Sequence, residues 1–211
     1  DDTDAINRAL FQLYCKTAFQ GARKALYFPA GRYMVSSWIK IPTYATLIGE
    51  GPYNTVIQHT GDPNTYPAVV QIADSKQQIG AALGTNGAAL PSDITITDMG
   101  FISALDGIYI QYCKRITLNR VRFEGPETSP SSNTSSVLLN TPAPSIGLYI
   151  TGSATNPSED VNLLDCYFTG YIYGMWQDNA AEYFQNVMIS SATFYDIYKA
   201  VYLAVSAGSA K

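Results

Sequence analysis

The chain has 211 residues, of which 46% are hydrophobic and 14% charged, with 16 Tyr, 16 Gly and a formal net charge of −4. This is the reverse of a disordered chain's balance and suits one folded domain with its own core. No Lys/Arg run and no 18-residue apolar run occurs, so nucleic acid, anionic membrane surfaces and membrane insertion are all unfavoured.

The first predicted element is a short amphipathic helix within Asp2–Tyr14. Asp2 or Thr3 is placed to act as N-cap, and Ile6, Leu10 and Leu13 fall on one face. A strand beginning near Leu26 then meets a turn carrying Pro29 and Gly31, and Gly49 and Gly51 allow a sharp corner further on. Segment 58–92 is long and loop-like, although Val69-Val-Gln-Ile72 within it has the pattern of a strand.

From residue 94 the chain repeats. Ile94-Thr-Ile-Thr-Asp-Met-Gly-Phe101 is followed by Ile116-Thr-Leu-Asn-Arg-Val-Arg-Phe123, Val161-Asn-Leu-Leu-Asp-Cys-Tyr-Phe168 and Val187-Met-Ile-Ser-Ser-Ala-Thr-Phe194. A second block alternates with it: Gly107-Ile-Tyr-Ile110, Gly147-Leu-Tyr-Ile150, Gly174-Met-Trp-Gln177 and Ala200-Val-Tyr-Leu203. Both blocks have the two-residue period of a strand, with Ile108 and Ile110 inward and Tyr109 outward. Apart from one long repeat, the spacing is 22 to 27 residues, which holds three short strands and three turns. The expected fold is therefore all-β, a right-handed parallel β-helix of five or six coils. Phe101, Phe123, Phe168 and Phe194 should form an internal ladder, because no coil can bury its apolar face alone. The chain divides into a capping helix over 1–20 and a β-helix over 21–211, with insertions at about 58–92 and 124–146. The second insertion is rich in Ser, Thr, Pro and Asn, and its Asn133-Thr-Ser135 sequon carries little weight.

The N-terminal part also resembles a known pattern. Asp1-Asp-Thr-Asp-Ala-Ile-Asn-Arg-Ala-Leu10, Leu26-Tyr-Phe-Pro-Ala-Gly-Arg-Tyr-Met-Val35 and Thr46-Leu-Ile-Gly-Glu-Gly51 are similar, in order and spacing, to the start of pectate-lyase-like proteins found in phage tailspikes. The resemblance implies a homotrimeric tailspike or tail fibre component. Such a protein sits in the extracellular virion tail among other tail proteins, and recognises or degrades bacterial surface polysaccharide. The same pattern occurs in secreted carbohydrate-active enzymes, glycoside hydrolases or polysaccharide lyases, which is the alternative. The resemblance also implies that the start of the motif is missing and that the chain continues past Lys211.

No catalytic constellation is assignable from the sequence. Asp98, Arg120, Asp165 and Ser191 share one turn position. Asp98 and Asp165 would lie two coils apart, about 10 Å, which suits an inverting hydrolase. Turns select Asp for conformational reasons alone, and that reading is preferred. The same reading covers Asp106, Glu124, Glu159, Asp160, Asp178 and Glu182. His59, the only histidine, is read as structural or solvated rather than catalytic. Cys15, Cys113 and Cys166 are too widely spaced for a disulfide framework or zinc site, and no metal or other cofactor is expected. Tyr109, Tyr149, Trp176 and Tyr202 share one outward position and should form a vertical stripe, for sugar binding or for a trimer interface; the absence of an accompanying row of polar residues in the repeat leans the sequence reading to the interface.

Overall fold

The computed structural model describes residues 1–15, 24–72, 91–127, 144–152, 157–177 and 184–203. Most of both insertions, the sequon, Asp178 and Glu182 lie outside these residues.

The described strands fall into six coils. The first holds β1 (Ala25–Tyr27), β2 (Gly31–Val35) and β3 (Ile39–Lys40), and the second β4 (Thr46–Ile48), β5 (Thr55–His59) and β6 (Ala68–Ile72). The third holds β7 (Ser92–Thr97), β8 (Gly100–Ile102) and β9 (Asp106–Gln111), and the fourth β10 (Lys114–Asn119), β11 (Arg122–Glu124) and β12 (Ile146–Thr151). In the last two coils, β13 (Ser158–Leu164) is followed by β14 (Tyr167–Gln177), and β15 (Phe184–Ser190) by β16 (Thr193–Leu203). β14 and β16 each run through a corner as one 11-residue strand.

Strands pair in parallel with their equivalents in neighbouring coils. The first face is the six-stranded sheet β1-β4-β7-β10-β13-β15. The second and third faces are joined into one ten-stranded sheet because β14 turns the corner. This is a parallel β-helix, and its register is the one the repeats imply. Ile94, Ile116, Val161 and Val187 align, as do Ile108, Leu148, Met175 and Val201. The predicted strand at Val69–Ile72 is β6, paired with β9.

The phenylalanine ladder runs up the core. Centroids are 5.3 Å apart for Phe101–Phe123, 5.1 Å for Phe123–Phe168 and 5.1 Å for Phe168–Phe194, with ring planes 16°, 14° and 10° apart. The coil rise of about 4.8 Å imposes this near-parallel stacking. Burying each of the first three rings completely contributes roughly 1.5–3 kcal/mol.

Each of the last four coils carries the same two left-handed positions. The anticipated one holds Asp98, Arg120, Asp165 and Ser191, at φ 56°, 50°, 50° and 57°. A second, unanticipated row, Asp93, Arg115, Asp160 and Asn186, immediately precedes the first inward residue of each coil at φ 54–59°. Non-glycine residues pay for this conformation, and Asp and Asn pay least.

The N-terminal helix α1 (Thr3–Leu10) covers the open end of the barrel with Ile6 and Leu10. It continues as a π turn over Phe11–Cys15, and Leu13 packs against the core. Asp2 stands at the N-cap position, as expected, but makes no side-chain cap bond. Its carboxylate instead accepts the Met34 N–H, the Thr3 hydroxyl accepts the Ser36 N–H and the Asn7 side-chain oxygen accepts the Lys40 N–H. These side chains serve the bare edge of the first coil, where unpaired backbone groups are costly.

Candidate functional site

On the outward side of the third face, Lys40, the buried Gln71, Tyr109, Tyr149, Trp176 and Tyr202 stand in one row, one residue per coil. The four predicted aromatics therefore form a vertical stripe. Tyr109 and Tyr149 lie 5.2 Å apart, and Trp176 and Tyr202 5.1 Å. All four rings are half-buried.

The stripe rests on a second apolar cluster, of Ile146, Ile172 and Tyr173, outside the barrel. Tyr173 lies 4.2 Å from Trp176 and 5.4 Å from Tyr202. Tyr198 packs on the same cluster, and the Lys199 ammonium lies 5.3 Å from the Tyr202 ring and 5.8 Å from the Tyr173 ring. Sequence reasoning missed Tyr173, Tyr198 and Lys199, because the alternation of sides changes where β14 and β16 round the corner. The result is a broad aromatic patch with flat apolar faces, phenolic rims and a cation at one end. The Trp176 indole N–H is buried and lacks a hydrogen-bond partner among the described residues.

Asp98 and Asp165 occupy equivalent turns at the edge of the first face, with Arg120 in the coil between them. The Arg120 guanidinium donates to both carboxylate oxygens of Asp98, at 2.6 and 2.7 Å. Those bonds hold Asp98 below the usual carboxylate range. A carboxylate kept ionised in this way is poorly placed to protonate a glycosidic oxygen. Arg115 grips Asp93 in the same fashion at 2.7 and 2.8 Å, and Asn186 donates to Asp160 at 3.0 Å.

The acid that stands out is Asp106, which opens β9 at the corner between the second and third faces. It is 8% exposed, and burial pushes its carboxyl up to about 7. Its oxygen accepts the Ile146 N–H at 2.9 Å. Beside it, the Ser103 and Tyr171 hydroxyls share a 2.8 Å hydrogen bond, and burial drives the fully covered Tyr171 phenol well above its ordinary value. The Asp106-Gly107 pair reads as a turn, and no local feature of the sequence marks its burial.

His59 is buried and lies on β5, away from the stripe; desolvation lowers its pKa and keeps the ring neutral. Cys15, Cys113 and Cys166 are buried free thiols, with Cys15 pushed up to about 12 and Cys166 to about 11 by desolvation. Such thiols are poor nucleophiles. Among the described residues no three His, Cys, Asp or Glu side chains gather as metal ligands would.

Comparison with known proteins adds the following. Residues 1–208 match the model of the family described as "Rhamnogalacturonase A/epimerase, pectate lyase-like". No curated protein matches the chain. Among solved structures, a Parabacteroides merdae ATCC 43184 protein, provisionally described as a glycosyl hydrolase, is similar at 14% identity and a TM-score of 0.46, over 92% of this chain and 89% of that one. Six stacked coils, an N-terminal capping helix and a family match over almost the whole length lead to one conclusion: the chain belongs to the rhamnogalacturonase A/epimerase, pectate lyase-like family.

Proposed function

We propose that this chain is a carbohydrate-active β-helix that holds a polysaccharide along its third face, over Tyr109, Tyr149, Trp176 and Tyr202. One observation carries the reading: aromatic side chains recur at a single outward position in successive coils. The coil rise of about 4.8 Å is close to the length of one pyranose in an extended glycan. Successive sugars can therefore meet successive rings, C–H face to aromatic face, while phenol groups at the rim offer hydrogen bonds. The family's own name, that of a rhamnogalacturonase or epimerase, supports a polysaccharide ligand.

The setting we favour is a phage tail spike or tail fibre: three such chains side by side in the extracellular virion tail, contacting bacterial surface polysaccharide. The N-terminal motif supports it. The family match supports a secreted glycoside hydrolase or polysaccharide lyase equally well. Light scattering separates trimer from monomer, and incubation with a panel of bacterial and plant polysaccharides, read by reducing-end and unsaturated-uronate assays, separates enzyme from binding protein. Retention of at least one glycan is expected. Failure to bind any member of a broad panel, with the fold intact, contradicts the proposal.

A further inference from the structure

The corner beneath the stripe contains a buried polar arrangement with no role in the reading above. The Asp106 carboxylate accepts the Ile146 N–H, the first amide of β12, at 2.9 Å. The preceding residue, Ser145, is fully buried. Its hydroxyl accepts the Ile172 N–H at 3.1 Å and donates to Glu127 at 3.2 Å, and its carbonyl accepts the Tyr173 N–H at 3.1 Å. The start of β12 is thus fastened on two sides, by the backbone of β14 in the next coil and by one carboxylate in the coil before. Three residues on, β12 presents Tyr149.

We propose that Asp106 is a proton-operated latch: with its carboxyl protonated the start of β12 is seated at the corner, and ionisation of that carboxyl loosens it. A carboxylate this deeply buried, with one hydrogen bond among the described residues, to a main-chain amide, is short of the two or three donors that stabilise a buried anion. The charged and titratable neighbours do not relieve it. Tyr171 on β14 is bonded to Ser103 and stays protonated at physiological pH. Arg122 on β11 is paired with Glu124, and Glu127 accepts the Ser145 hydroxyl. Just before β6 the Pro67 carbonyl accepts the Asp106 N–H at 2.7 Å, and β12 supplies the Ile146 amide. The burial cost outweighs the single bond, so titration falls near neutrality, at about 7. Above that pH the anion must draw in water or turn outward, and either movement releases Ile146.

The latch itself is independent of the glycan proposal. Only its consequence, a glycan affinity that weakens as pH rises through neutrality because Tyr149 is less firmly held, rests on that reading. The test is NMR of the intact chain, following the Asp106 carboxyl carbon and the Ile146 amide between pH 5 and 8.5, with hydrogen exchange at Ile146 corrected for intrinsic rates. Both signals should titrate together near pH 7, with amide protection falling at least tenfold above it. Asp106→Asn should abolish the Ile146 transition. The carboxyl measurement needs no variant, so a misfolded Asp106→Asn protein does not decide the matter. A carboxyl midpoint near 4, or an Ile146 amide indifferent to the titration, overturns the latch. A normal titration without any change in glycan affinity overturns only the link to Tyr149.

Discussion

Replacing Gly147 with alanine probes the stacking of coils at the point where it tolerates least. Gly147 lies in the row Gly107, Gly147, Gly174, beneath Tyr171 and the Phe168 ring. A Cβ there would meet the Gly174 carbonyl oxygen at 2.7 Å and Phe168 Cδ1 at 2.8 Å. Ordinary contact begins near 3.4 Å, so two coils must separate by about 0.7 Å at a site where both are held by parallel ladders. Overpacking of this kind costs about 1–3 kcal/mol, here towards the upper end because the opposing atom is backbone. The gain of up to about 1 kcal/mol from a stiffer unfolded chain offsets part of it. A net loss of about 2 kcal/mol should lower the melting temperature by roughly 4–8 °C in a domain of this size. Differential scanning calorimetry measures the loss, and hydrogen exchange should place the loosening in β12 and β14. Ala200 continues the same row in the last described coil, so Ala200→Gly should change stability by no more than about 1 kcal/mol. An unchanged or higher melting temperature for Gly147→Ala would refute the close-approach reasoning.

Other expectations follow from the same geometry. Phe123→Ala, which removes a fully buried ring stacked on both sides, should cost about 3–5 kcal/mol in denaturant titration, while Phe194→Ala, at the end of the ladder, should cost markedly less. Asp106→Asn should leave stability little changed near pH 4 and raise it at pH 8. The folded state keeps a proton that the unfolded chain loses above 3.8, so wild-type stability falls as pH rises towards about 7, by up to about 4 kcal/mol, and calorimetry across pH 4–8 should record that slope flattening in the variant. Asp98 has the opposite sign: its contribution is present above the ordinary carboxylate value and is lost as pH falls through its depressed one. Asp98→Asn should therefore cause a small destabilisation at neutral pH and no change in any glycan cleavage; lost cleavage with an unaltered melting curve would make Asp98 catalytic after all.

The repeat was legible because a solenoid writes its register into the sequence. Ile94, Ile116, Val161 and Val187 align in space because each begins the same strand of its coil. The outward stripe was legible for the same reason, once the side of each strand was known. What escaped was set by contacts between coils. Asp93 and Arg115 look like ordinary charged residues until stacking brings them together. Tyr173 and Tyr198 join the patch because β14 and β16 bend through the corner without a break. Asp106 looks like half of a turn, yet it is buried and lies within electrostatic reach of Tyr171, 65 residues further along the chain. Asp2 or Thr3 was expected to cap the helix; Asp2 takes that position, but the side chains of both bond the first coil instead, a choice no local pattern records.

The most direct test of the proposed function is glycan affinity measured on the stripe itself. Calorimetric titration of the intact protein, with a glycan retained from the panel, should be compared with Tyr149→Ala and Tyr109→Ala, each checked for an unchanged melting curve. A loss of about 2 kcal/mol, some 30-fold in affinity, is expected at each position if sugars stack on these rings. Full affinity in both variants, with the fold intact, would show that the polysaccharide is held elsewhere and that the aromatic row serves packing or assembly.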